Sequence, residues 1–303
     1  MNEAYPDFDV RSYIDLDWIA RLISFLPQAR AWWINPLNET TDFGVDPTTI
    51  RAIGTGSKKA DPTWGPLAAY NSWAKDRVAE LGLSMGSCPA AEVPGWAQLD
   101  IESSDGFDAW HTHLANSLQE HWHDWLGKVQ AASEHPILGW PERARTSTAD
   151  GYLLVAHKYK LVDLFIRFLR VLAPAGSSLE RGIVCNANIP LDMKSIAVIN
   201  ATFGGLSVAG GASMGNIKSE LSYRTYQRLA RAICFIAGDQ FQRQNPESQG
   251  CAGVSPVLFD VFVWQSSDAK ALYTDGKKNP EKGPGGRMPR RKPTWWQMSV
   301  GTT

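Results

Sequence analysis

A chain of 303 residues with 44% hydrophobic and 20% charged side chains has the makeup of a soluble globular protein and can bury a sizeable core. Its 30 basic and 31 acidic residues nearly cancel, which excludes a globally basic nucleic-acid binder. Any DNA-contacting surface must come from local segregation of charge. Four cysteines, none in a C-x-x-C pair, argue against a disulfide framework and fit a reducing cytoplasm. The acidic segment Met1–Val10 lacks the basic and apolar regions of a signal peptide, and no apolar run reaches the roughly 18 residues of a membrane span. A cytoplasmic protein without membrane contact is expected.

In Tyr13–Leu26, the spacing of Trp18, Ile19, Leu22, Ile23 and Leu26 predicts an amphipathic helix that Pro27 ends. Residues 35–61 read as loop, Gly65–Leu83 as helix and Ser84–Gly95 as loop. Ser104–Ala132 is a long helix with Trp110, Leu114, Leu118, Trp122 and Trp125 on one face. His135–Ala149 reads as a connector, Tyr152–Leu172 as an apolar helix and Ala173–Asn188 as a loop with a Gly-Ser-Ser turn. Asp192 stands at an N-cap position for a helix to Asn200. Gly204–Gly215 is a glycine-rich loop, Ser219–Ala237 and Pro256–Trp264 are helices, and the polar, basic tail after Gln265 ends in disorder. The fold class is mainly α, divided into an N-terminal helical region (1–150), a core (151–265) and a basic tail (266–303).

Two residues in this core carry the makings of chemistry. Lys160 opens the apolar helix, where partial desolvation and the positive end of the helix dipole both disfavour its ammonium form. A neutral amine there is a nucleophile able to form a Schiff base. Asp163, one turn along, is a candidate ion-pair partner for it. Asp192, held by Pro190 and its N-cap geometry, stays ionised by accepting backbone N–H groups. Such an anion stabilises the positive charge that grows on a sugar's anomeric carbon as its glycosidic bond breaks. Asp260 lies inside an apolar helix, where a carboxylate must be paired or hydrogen-bonded.

The order of these features resembles the helix-hairpin-helix DNA glycosylase superfamily, most closely its archaeal 8-oxoguanine glycosylase/lyase branch. The features are a lysine-bearing apolar helix, a long loop, Pro190-x-Asp192 opening a helix, a glycine-containing turn, and Ser255–Trp264 (SPVLFDVFVW) as a closing helix. The resemblance covers about Tyr152–Gln265. It implies a helical glycosylase-like fold with a helix-hairpin-helix-type core, Lys160 and Asp192 as catalytic residues, and Asp260 and Trp264 in the base pocket. It further implies a damaged or modified base in double-stranded DNA as substrate, flipped out of the helix, with no cofactor and a monomeric enzyme. The hairpin glycines that the superfamily places ahead of the lysine are reduced here to Gly151 in Thr146–His157. Phosphate contacts therefore fall to Lys158 or the basic tail.

Further DNA-contacting candidates are Arg224 and Arg228, on a polar helix face with Gln227 and Arg231, and Arg290, Arg291 and Lys292 ahead of Trp295 and Trp296. Trp32 and Trp33 after Arg30 repeat the basic-aromatic pattern. The histidines of His111–His123 recur at spacings that place neighbours on different helix faces, so no metal site is expected and the helix is solvated or pocket-lining. The base is either an 8-oxoguanine-like lesion or a hypermodified phage base such as glucosylated hydroxymethylcytosine, the target of a defence enzyme. A metal-dependent nuclease built on Asp163 with Asp192-x-Lys194, and a non-catalytic DNA-binding protein, are the alternatives.

Overall fold

The computed structural model describes residues 13–34, 42–45, 66–83, 95–131, 152–204, 208, 213–246 and 254–278. These residues are mainly helical, with no β-strand among them. The helices are α1 (Leu16–Ile34), α2 (Pro66–Glu80), α3 (Ser104–Ala131), α4 (Val155–Leu172), α5 (Ser178–Asn186), α6 (Met193–Thr202), α7 (Glu220–Gln244), α8 (Pro256–Gln265) and α9 (Ser267–Lys278). Single 3-10 turns occur at Asp42–Gly44, Gly95–Gln98 and Met214–Asn216. No helix among the described residues is long and apolar enough to cross a membrane.

Side-chain caps set most starts in the C-terminal half. Ser177, Ser219 and Ser255 each accept a backbone N–H from the first turn of α5, α7 and α8, and Pro256 fills the first position of α8, where its missing N–H costs nothing. Asp192 caps α6, as its position in the sequence predicts.

Four expectations are corrected. Pro27 lies inside α1 and does not end it: one lost backbone bond is outweighed by burial of Leu26 and Ala29 and by Arg30 packing over the Phe241 ring. The segment Ser178–Asn186 is helix, not loop, because Ser177 and Glu180 form the S-x-x-E signature of a helix start. The tail after Gln265 begins with α9, whose Ala269 is buried and whose first turn is capped by Ser266. Lys160 does not open α4: the helix starts at Val155, so Lys160 lies in its second turn, past the reach of the terminal dipole.

One continuous hydrophobic cluster runs from Ile14 to Ala269 and draws on helices on both sides of residue 150. Trp73 of α2 packs edge-on against Phe165 of α4, and Trp18 and Phe25 of α1 pack against Phe262 of α8. Trp110, Leu114, Leu118 and Trp122 bury the inward stripe of α3.

Close backbone approach replaces side-chain packing where α5 meets residues 100–102. A Cβ on Gly182 would lie 2.6 Å from the Ile101 carbonyl oxygen, and Asn186 donates from Nδ2 to the Ile101 and Glu102 carbonyls at 3.0 and 3.1 Å. Gly127 in α3 has nothing within 4 Å of the same position. Gly182→Ala is therefore expected to destabilise by about 1–3 kcal/mol through overpacking. Gly127→Ala should stabilise by up to about 1 kcal/mol through helix propensity. Urea unfolding of both variants checks the opposite signs.

Candidate functional site

Lys160, Leu164 and Arg167 fall at i, i+4 and i+7 and form a half-buried stripe along the middle of α4, whose intervening residues are buried. The turn Asp42–Gly44 presses onto this stripe. Gly44 adopts φ +85°, and a Cβ there would lie 2.6 Å from the Leu164 carbonyl oxygen. Tyr70 fixes the turn by donating to the Phe43 carbonyl at 2.8 Å. At the far end of the stripe Arg167 pairs with Asp260 of α8, so the buried carboxylate that the sequence singled out has a cation to face. At the near end His157 is buried, and its pKa falls to about 4, first from burial and then from the nearby Lys160 charge.

Asp192 accepts the N–H groups of Lys194 and Ser195 at 2.8 and 2.9 Å, both on Oδ1. Ser195 Oγ reciprocates by accepting the Asp192 N–H at 2.8 Å. The second carboxylate oxygen takes no part in these capping bonds. Upstream, Gln227 of α7 clamps Ile189 through both of its backbone groups: Oε1 accepts its N–H at 3.0 Å and Nε2 donates to its carbonyl at 2.8 Å. Lys194 sits 3.5 Å over the half-exposed ring of Trp264 in α8. Asp260 and Trp264, one turn apart on α8, thus engage the lysine-bearing helix α4 and the first turn behind Asp192. No hydrogen bond or ion pair joins Lys160 to Asp192.

A second polar centre lies between α3, α4 and α7. Asp163 is fully buried, and is not a partner for Lys160. Its Oδ1 is 2.8 Å from His111 Nε2, and both of its oxygens accept the Tyr223 hydroxyl at 2.9 Å. Burial pushes the Asp163 carboxyl up, against the opposing hydrogen bond from His111. Burial and the neighbouring Asp163 charge likewise raise the Tyr223 phenol. Tyr159 stacks on Tyr223 with ring centroids 4.1 Å apart, and His111 lies parallel to Tyr159 at 5.4 Å. His111 is thus the pocket-lining member of its histidine cluster. Above these rings opens a shallow cleft with Thr112 and Asp108 on one wall and Arg224, Arg228 and Arg231 on the other. Sequence reasoning missed this centre. The signal was Asp163 between Val162 and Leu164 on an apolar helix, the same signal that marked Asp260.

The remaining DNA-contact candidates fare differently. Lys158 is buried and faces Glu220 at 3.0 Å, which neutralises its charge inside the fold. Arg224 and Arg228 are exposed on α7. Arg290, Arg291, Lys292, Trp295 and Trp296 lie outside the described residues, as do the side chains of Trp32 and Trp33. Among the described residues no group of three or more His, Cys, Asp or Glu side chains is placed to hold a metal ion.

His157 yields a pH prediction. It stays neutral in the fold down to about pH 4, whereas the unfolded chain takes up its proton near 6.5. Its contribution is complete above pH 6.5 and is lost as pH falls toward 4. Between pH 7.5 and 5 the wild type should lose about 2 kcal/mol more than His157→Phe, measured by urea unfolding at the two pH values. Equal losses would contradict it. No protein-family model, curated protein or solved structure matches this chain, so the site is interpreted on its own geometry.

Proposed function

We propose that this chain is a DNA glycosylase that excises a flipped, modified base, with Lys160 as nucleophile and Asp192 as the electrostatic partner. The observation that carries the reading is the double engagement of α8. Its Asp260 pairs with Arg167 on the helix of Lys160, and its Trp264 meets Lys194, two residues beyond Asp192. Three helices bearing an amine, an anion and an aromatic face are thereby tied into one assembly. That combination suits a deoxyribose whose base stacks on an aromatic ring.

The chemistry follows from the side chains. The Lys160 amine attacks the anomeric carbon as the bond to the base breaks, and the base leaves with the electron pair and acquires a proton. The charge growing on the sugar faces the Asp192 carboxylate, whose Oδ2 is not engaged by the cap. Loss of the proton from the attacking nitrogen to this carboxylate leads to ring opening and a Schiff base. Loss of a C2′ proton from that imine to water forms a C2′–C3′ double bond as the C3′–O bond breaks, and the 3′ phosphate leaves with that electron pair, which cuts the strand. Exposed Arg224 and Arg228 supply phosphate contacts on duplex DNA.

Asp192→Asn separates chemistry from folding, because asparagine caps a helix as well as aspartate does. The variant should melt with the wild type yet release base about 10²–10³-fold more slowly. Borohydride should trap the wild type covalently on substrate DNA, and Lys160→Gln should abolish the adduct. The substrates are 8-oxoguanine duplex and DNA carrying glucosylated hydroxymethylcytosine, with the freed base identified by mass spectrometry. EDTA should leave the activity intact. Wild-type rates in both variants, or no base from either DNA, would overturn the assignment.

A further inference from the structure

The cleft between α3, α4 and α7 is separate from the stripe of Lys160 and from the Asp192 cap, since neither residue lines it. Its charge is lopsided: three arginines against the single carboxylate of Asp108. Arg231 is already committed. One of its nitrogens reaches Asp108 at 3.3 Å, the Asn186 carbonyl at 3.1 Å and Asn188 Oδ1 at 3.0 Å. Arg224 and Arg228, one helical turn apart on the rim, form no ion pair within 4.0 Å among the described residues, although the Glu220 carboxylate, one turn before Arg224 on α7 and held by Lys158, acts on Arg224 electrostatically. The only side-chain bond Arg224 makes to α3 is a long one, 3.4 Å to Thr112 Oγ1.

The remaining lining is polar: Thr112 and Tyr159, Asn188 and Gln227 engaged by Arg231 and the Ile189 backbone, and His111 and Tyr223 held behind by Asp163. A compact multivalent anion matches this lining. Two guanidinium forks on one helix face meet the several oxygens of a phosphate group. The floor is held by Asp163, which ties α3 and α7 to α4. The wall of the cleft also continues into the Asp192 loop. Arg231 holds Asn186 and Asn188, Gln227 holds Ile189, and Asp192 follows three residues later.

We propose that this cleft is a phosphate-binding site in which Arg224 and Arg228 grip a single phosphate group at the wall that carries the loop of Asp192. The phosphate belongs either to the backbone of duplex DNA or to a free nucleotide, and the two sources separate experimentally. The inference rests on the cleft alone and does not require the glycosylase chemistry, so unmodified DNA is the probe.

Binding of a short unmodified duplex and of a nucleoside monophosphate is measured by titration calorimetry and fluorescence anisotropy over a salt series. The proteins are the wild type, Arg224→Gln/Arg228→Gln and the control Arg243→Gln. Arg243 sits far along α7, exposed and paired with Asp239. If the phosphate is DNA backbone, the double variant binds duplex at least tenfold more weakly, its salt slope falls by about 2, and the mononucleotide binds no better than chloride. If it is a free nucleotide, the wild type binds the monophosphate saturably, unmodified duplex does not compete, and the double variant loses binding. Arg243→Gln should match the wild type in either case. A double variant that keeps wild-type helicity and binds both ligands as the wild type does would overturn the proposal, as would equal losses in Arg243→Gln.

Discussion

Asp163 carries a carboxylate into the interior of α4, at a point where the helix is surrounded by packed side chains. A carboxyl group in such a place is tolerable only when hydrogen-bond partners are brought to it, since a buried polar group left without them costs the full penalty of its desolvation. His111 from α3 and Tyr223 from α7 are those partners. Neither helix can slide against α4 without leaving that buried group unsatisfied, a loss in the range of about 1–3 kcal/mol. The constraint reaches outward along α7. Once Tyr223 is fixed, helical geometry determines where Gln227 and Arg231 fall, one and two turns on. Those two residues in turn hold the backbone of 186–189. The loop ahead of Asp192 is thus positioned from a carboxylate buried in a different helix.

α8 performs a complementary task one turn further along α4, where Asp260 meets Arg167. Its apolar residues pack against α1, with Phe262 between Trp18 and Phe25. Its two polar features look outward from that packing, Asp260 to Arg167 and Trp264 to Lys194. A helix this apolar has little freedom in how it sits, and that rigidity passes to whatever Asp260 and Trp264 touch. The proposed chemistry depends on the same property, because an amine and an anion acting on one carbon must hold their places to within a fraction of an ångström.

The helices with strong apolar periodicity were legible in the sequence, since burial of one face leaves a 3.6-residue signature. α3 and α4 match their expected limits to within three residues, and the capping role of Asp192 follows from a single acidic residue after Pro190. What escaped has local causes. α5 has a short apolar face and is announced mainly by its Ser177–Glu180 start. α9 is nearly all polar and is anchored through Ala269. Pro27 breaks one backbone bond, but the tertiary contacts of α1 outweigh that rule. The polar centre around Asp163 was out of reach for another reason: His111, Asp163 and Tyr223 lie on three helices, and no spacing along the chain records that they meet. Their residue types were visible one at a time, as a histidine cluster, an aspartate in an apolar run and an arginine-rich face.

The hydrophobic cluster that ignores residue 150 has a consequence for how the molecule is inherited and handled. α3 and α4 share both the His111–Asp163 contact and a packed interface, although they lie on opposite sides of that position. Cutting the polypeptide between them would leave two pieces with large unmatched oily faces and, in one piece, an aspartate without its histidine. Neither piece would be a self-sufficient module that recombination could transplant into another gene. Mixed together, however, each carries the complement the other lacks, so the pieces have a physical reason to find one another and rebuild the whole.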